Sequence, residues 1–80
     1  MKRRSEHWEH VDSSCVHRLR YHKDRQALDV EYSGGKQYEY NDVSTREFSD
    51  LKKAESIGRF VNERIKKHRF RKLNPENGQR

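Results

Sequence analysis

Apolar residues in this chain fall into short groups whose period changes partway along, dividing the sequence into a strand-forming part and a helix-forming part. Between Cys15 and Tyr21, β-branched and aromatic residues place Leu19 and Tyr21 on one side and Arg18 and Arg20 on the other. Val16 is out of phase with that pair, which predicts a bulge or bend near Arg18. The polar run from His22 to Gln26 suits a hairpin connection into a second strand, Ala27 to Tyr32. There the alternation is regular: Leu28, Val30 and Tyr32 point inward, while Asp29 and Glu31 face water across from Arg18 and Arg20. Ser33-Gly34-Gly35 supplies positive-φ positions for a tight turn. Lys36 to Asn41 then returns as a third strand with Tyr38 and Tyr40 on its inward face.

Beyond Asn41 the period lengthens. Ser44 followed by Glu47 is a capping box, in which side chains answer the unpaired backbone N–H groups that open a helix. Phe48, Leu51 and Ala54 give that helix a narrow apolar side, so it must rely on tertiary packing. Glu55, Ser56 and Gly58 mark a sharp bend with Ser56 as the next N-cap, and Ile57, Phe60, Val61 and Ile65 define the buried stripe of a second helix. These patterns predict an α+β fold: a three-stranded antiparallel β-meander followed by two short helices packed on one face of the sheet. Its core draws on Leu19, Tyr21, Leu28, Val30, Tyr32, Tyr38, Tyr40, Phe48, Leu51, Ile57, Phe60, Val61 and Ile65. Residues 1–10 read as a flexible arm, 11–68 as the domain, and 69–80 as a basic tail in which Pro75 stops any helix.

Composition narrows the function more than the fold. Eighty residues make one domain, and a chain of that size buries only about 60% of the surface its unfolded form exposes, leaving little interior for an enclosed active site. Forty per cent of residues are charged and the formal net charge is +6, a balance that favours polyanions such as nucleic acid or an acidic protein surface. No apolar run reaches the roughly 20 residues of a membrane span, and Lys2-Arg3-Arg4 lacks the apolar segment of a secretory signal, so the expected location is cytoplasmic. The single cysteine, Cys15, excludes an intrachain disulfide.

One ordered set of residues carries a family resemblance: Asp12-Ser13-Ser14, Tyr21, Leu28-x-Val30-x-Tyr32, Gly34-Gly35, the central Tyr38-x-Tyr40, Val43, Leu51, Ala54-x-Ser56-x-Gly58-x-Phe60-x-Asn62 and Ile65. In this order and spacing it resembles the KTSC domain, a family named for its occurrence at the C-terminus of some lysyl-tRNA synthetases and also found as stand-alone small proteins. The resemblance covers roughly Val11 to Ile65 and implies a small accessory domain with RNA binding suggested by the synthetase attachment. Arg20 replaces the small residue common before the strand-one tyrosine, and Ser44 stands where proline is frequent.

Each candidate site has an ordinary and a sharper reading. Tyr38 and Tyr40 could stack bases, but their shared face with the strand apolars favours core packing. The opposite face, with Arg18, Arg20, Asp29, Glu31 and Glu39, is too mixed in charge for a phosphate-binding sheet. Arg59, Arg64, Lys66, Lys67, Arg69, Arg71 and Lys72, on the second helix and its extension, form either a solvated basic run or a set of phosphate contacts. Ser13, Ser14, Ser56 and Asn62 read as caps, and Gly58 as a point of close approach, with an anion-binding turn the sharper alternative. His7, His10, Cys15 and His17 match no zinc-ligand spacing, so no metal or other cofactor is expected. Cys15 has no orienting group to make it a nucleophile. Trp8, Arg18 and Arg20 are the remaining candidates for a partner contact.

The expectation is therefore a non-enzymatic nucleic-acid-binding accessory module, RNA favoured, using the basic helix and tail. The alternative is a protein-interaction module or small inhibitor, bacterial or phage, docking on a larger intracellular protein.

Overall fold

A computed structural model of the chain describes residues 8–73. The sequence expectations for residues 1–7 and for the stretch from Asn74 onward lie outside them. The elements are β1 (Glu9–His10), β2 (Val16–His22), β3 (Ala27–Tyr32), β4 (Gln37–Tyr40), α1 (Thr45–Lys53), α2 (Ile57–Glu63), a 3₁₀ turn (Ile65–Lys67) and β5 (Phe70–Leu73). The strands form one antiparallel sheet in the order β1-β2-β3-β4-β5.

Five strands thus replace the three expected. β1 is two residues long and pairs Glu9 with Leu19 and His10 with Arg18, a register that no apolar alternation announces. β5 arises from the basic run that reads as a helix extension: the second helix ends at Glu63, the 3₁₀ turn reverses the chain, and Phe70 to Leu73 pair with Tyr40 to Gln37. The α+β architecture, the meander and the two short helices are otherwise as expected.

The central register shows how the sequence sets the core. A shift between Val16 and Arg18 is the bulge that the out-of-phase valine predicts, and it returns Val16 to the buried face. Val16, Leu19, Leu28, Val30 and Tyr40 meet Phe48 and Leu51 of α1, Ile57 and Val61 of α2, and Ile65. Val43 joins this core from the loop before α1, where its carbonyl accepts from the Tyr21 hydroxyl at 2.6 Å. Tyr21, Tyr32, Tyr38 and Phe60 pack on its margin and are only partly buried. The Tyr21 ring stacks on Phe48 at 4.5 Å.

Caps fix where the helices start. Ser44 Oγ accepts from Glu47 N at 3.0 Å, but the Glu47 carboxylate turns to His68 Nε2 at 2.8 Å instead of closing the capping box. Ser56 Oγ accepts from Arg59 N at 3.3 Å and opens α2. Gly58 sits against the Ser13–Cys15 turn: a Cβ there would meet Cys15 Cβ at 3.2 Å and Ser13 Oγ at 3.3 Å, so the absence of a side chain sets the approach of α2.

Leu51 is fully buried between α1 and the sheet. Leu51→Ala should cost about 2–5 kcal/mol, a large share of the roughly 4–12 kcal/mol available to a domain this size. Urea unfolding followed by circular dichroism checks this through the transition midpoint.

Candidate nucleic-acid interface

The side chains that carry charge or aromatic surface sort onto two faces of the sheet. On the face away from the helices, Asp29, Glu31 and Glu39 project from β3 and β4 and do not face water as the alternation alone suggests. Asp29 is 1% exposed, and Glu31 and Glu39 are also buried. Each has cationic partners from neighbouring elements. Arg18 reaches Glu31 through two guanidinium nitrogens, and Gln37 donates to the same carboxylate at 2.9 Å. Arg20 donates to Asp29 at 2.9 Å, with His22 Nε2 2.8 Å from the same oxygen. Glu39 takes Arg71 at 2.8 Å and Arg25 at 3.2 Å. Trp8 lies over this layer, its ring centroid 4.7 Å from the Arg18 guanidinium carbon and 4.2 Å from that of Arg20. Trp8, Arg18, Arg20 and Arg71 are therefore engaged with one another or with buried carboxylates.

Among the described residues, His22, Asp29 and Glu39 bring ligand atoms within 4.8 Å of one another, close enough to share a metal ion. Asp29 Oδ1 is buried without a hydrogen-bond partner. Arg20, Arg25 and Arg71 already neutralise these carboxylates, and a divalent cation would enter against three guanidinium charges. The histidines and cysteine considered for zinc do not gather: His10 and His17 meet edge to face at 5.2 Å, the Cys15 thiol sits beside Gly58, and His7 lies outside the described residues.

On the helix-bearing face, the sheet runs past the helices and leaves an open cleft of about 380 Å³ near β5, lined by Tyr32, Lys36, Tyr38, Tyr40, Lys66 and Phe70. The β4–β5 register makes it: pairing Tyr40 with Phe70 and Tyr38 with Lys72 puts all four side chains on this face. The rings contact in sequence, Tyr32 to Tyr38 at 5.9 Å and Tyr38 to Phe70 at 5.7 Å, both edge to face. The Tyr32 and Tyr40 hydroxyls are 2.7 Å apart, and burial raises the pKa of both phenols, so they stay protonated at neutral pH. Tyr40 is core, as expected, while Tyr38 is partly buried and Phe70, at 57%, is the exposed large apolar residue among those described. A second open cleft of about 430 Å³ shares Tyr32 and Lys66 with the first and continues to Cys15, Gly58, Arg59 and Asn62.

The basic residues expected to hold phosphate separate accordingly. Arg59 pairs with Glu63 at 3.3 Å, Arg64 lies over the Phe60 ring at 5.0 Å, and Arg71 turns to Glu39. Lys66, whose Nζ is 5.4 Å from the Tyr32 centroid, Lys67, Arg69 and Lys72 have no ion pair among the described residues and are exposed. Lys36 and Phe70 belong to the cleft but not to the expected set. A period-two reading of Phe70-x-Lys72 beside Tyr38-x-Tyr40 would have found Phe70.

The model of the KTSC domain matches residues 12–70, most of the chain, including the residue pattern from Asp12 to Ile65. The chain belongs to the KTSC domain family. It is 44% identical over 61 residues to a protein of Tsukamurella paurometabola, covering 76% of this chain and 90% of that one. Over a further 61-residue alignment it is 34% identical to a protein of Stutzerimonas stutzeri, covering 76% and 86%. The crystal structure of a KTSC domain protein from Yersinia pestis superposes with a TM-score of 0.81 at 29% identity, covering 88% of this chain and all of that one. In this KTSC domain, Ser13, Ser56 and Gly58 of the family pattern do structural work at the α2 junction, whereas Tyr38 opens onto solvent in the cleft.

The Arg18 guanidinium holds the Glu31 carboxyl below its ordinary value of 4.5, outweighing the opposing effect of burial. A folded-state pKa below the unfolded one gives stability that is fully present above the unfolded value and is lost as pH falls through the folded one. The urea midpoint should therefore drop as pH falls below about 4.5, and Glu31→Gln should lower the neutral-pH midpoint while flattening that acid-side fall. Urea titrations at pH 7, 4.5 and 3 measure both.

Proposed function

We propose that this KTSC domain is a non-enzymatic nucleic-acid-binding module of the cytoplasm, with RNA as its favoured partner, that uses the segment from Arg64 to Lys72 to hold phosphates. The observation that carries this reading is the partition of positive charge. Arg18, Arg20, Arg25 and Arg71 neutralise carboxylates of the sheet, while Lys66, Lys67, Arg69 and Lys72 follow closely along the 3₁₀ turn and β5 with no acidic partner among the described residues. Cations without internal partners are available to release counterions from a phosphate backbone. Beside them lies an open aromatic surface, where a strand of unpaired bases has ring faces to meet.

A protein partner is the second reading, favoured by the position of β5 at the edge of the sheet among the described residues, where an extended peptide could add a strand. Salt separates the two. With labelled single-stranded RNA, fluorescence anisotropy should give a steep fall of affinity with salt. Replacing Lys66, Arg69 and Lys72 by alanine should reduce the log–log slope by about 2, at roughly 0.7 per phosphate contact. A matched variant at Lys23, Arg46 and Lys53 should keep the parent slope. No RNA binding near physiological salt, or equal loss in both variants, would refute the proposal.

A further inference from the structure

The cleft beside β5 has a composition that phosphate binding alone does not call for. Four aromatic rings and two lysines line it, with no carboxylate among the lining residues. Phe70 leaves more than half of its surface in water on a strand whose pairing needs only backbone groups. Tyr38 stands between Tyr32 and Phe70 with part of its ring open. A neighbouring cleft begins where Lys66 crosses the Tyr32 ring, so the cation sits on the boundary between two open spaces.

We propose that this cleft takes one unpaired nucleobase, stacked against Phe70 and Tyr38, with the adjoining phosphates held by Lys66 and Lys36. The ligand class is single-stranded nucleic acid, and the inference rests on the nucleic-acid reading given above, adding the residues that distinguish a base from a bare phosphate chain. The chemistry is complementary on both counts: a base offers a flat π face to rings that present faces and edges, and its phosphates offer the negative charge that neither lysine finds in an ion pair among the described residues. A duplex keeps its bases stacked and paired, so it can meet the lysines without filling the cleft. The Tyr32 and Tyr40 hydroxyls share one proton in the hydrogen bond between them, which leaves the pair one O–H to donate at the edge of the base.

Short single-stranded RNA, the same length of RNA carrying abasic sites, and a duplex of the same sequence distinguish these contributions. Anisotropy should rank single strand above abasic strand and duplex. Phe70→Ala and Tyr38→Ala should each weaken the single strand by roughly 5- to 100-fold while leaving the abasic strand nearly unchanged. Phe70 is more than half exposed, so Phe70→Ala should stay folded, with a far-ultraviolet circular dichroism spectrum matching the parent. Ring-proton NMR signals of Phe70 and Tyr38 should shift on titration while those of Trp8, on the opposite face, stay in place. Parental affinity in the Phe70 variant, with binding still lost in the Lys66/Arg69/Lys72 variant, would overturn the stacking site and leave the phosphate reading standing. Binding of RNA by neither protein would overturn both. Shifts at Phe70 and Tyr38 produced by an acidic peptide but not by RNA would overturn the base site in favour of protein docking.

Discussion

Three carboxylates, Asp29, Glu31 and Glu39, stand on a sheet face that neither helix covers, and the architecture depends on their being neutralised there. A buried carboxylate without a partner costs several kcal/mol, so each one requires a cation in fixed geometry. Those cations come from every direction: Arg18 and Arg20 from β2, Arg25 from the β2–β3 connection, Arg71 from β5. Arginine suits the task because its flat guanidinium bonds two oxygens while its stem lies along the sheet. The same pairs hold the periphery in place. Arg71 on Glu39 ties down one edge strand, and Trp8 resting on Arg18 and Arg20 ties down the chain at the other.

This arrangement explains what could be read from the sequence. Strands β2 to β4, the bulge after Val16, the two Gly turn positions and both helix N-caps are local events, fixed by neighbours a few residues apart. β1 is legible only from β2, since two residues carry no period and exist as a strand because an edge is offered to them. β5 was hidden for a different reason. Its faces are Phe70 and Lys72 against Arg71 and Leu73, one apolar and one basic residue on each, so no apolar-polar alternation marks it as a strand within a basic run. Without β5 in place, neither the burial of Glu39 nor the cleft could be foreseen. Of the residues that the sequence assigns to phosphate, Lys66, Lys67, Arg69 and Lys72 have no ion pair among the described residues, while Arg71 and Arg59 are paired.

The helical side follows a separate logic. Gly58 and Ser13 let α2 lie close to the start of β2, and Ile65 anchors the turn that follows. The distance between the Ser13–Cys15 turn and the helix therefore governs where Lys66 emerges, and the strongest part of the family pattern acts on the cleft indirectly. Val43 and the Tyr21 hydroxyl perform the corresponding service at the start of α1.

β5 joins these two halves, because the side chains of four consecutive residues belong alternately to different faces. Arg71 is committed to the carboxylate layer and Phe70 to the open cleft, so docking of the strand completes both at once. Strand docking and completion of the cleft wall at Phe70 are consequently linked. A molecule that filled the cleft would draw free energy from its affinity into the pairing of the last strand, and a weakening of the carboxylate layer on the far side would reduce the population with that wall complete.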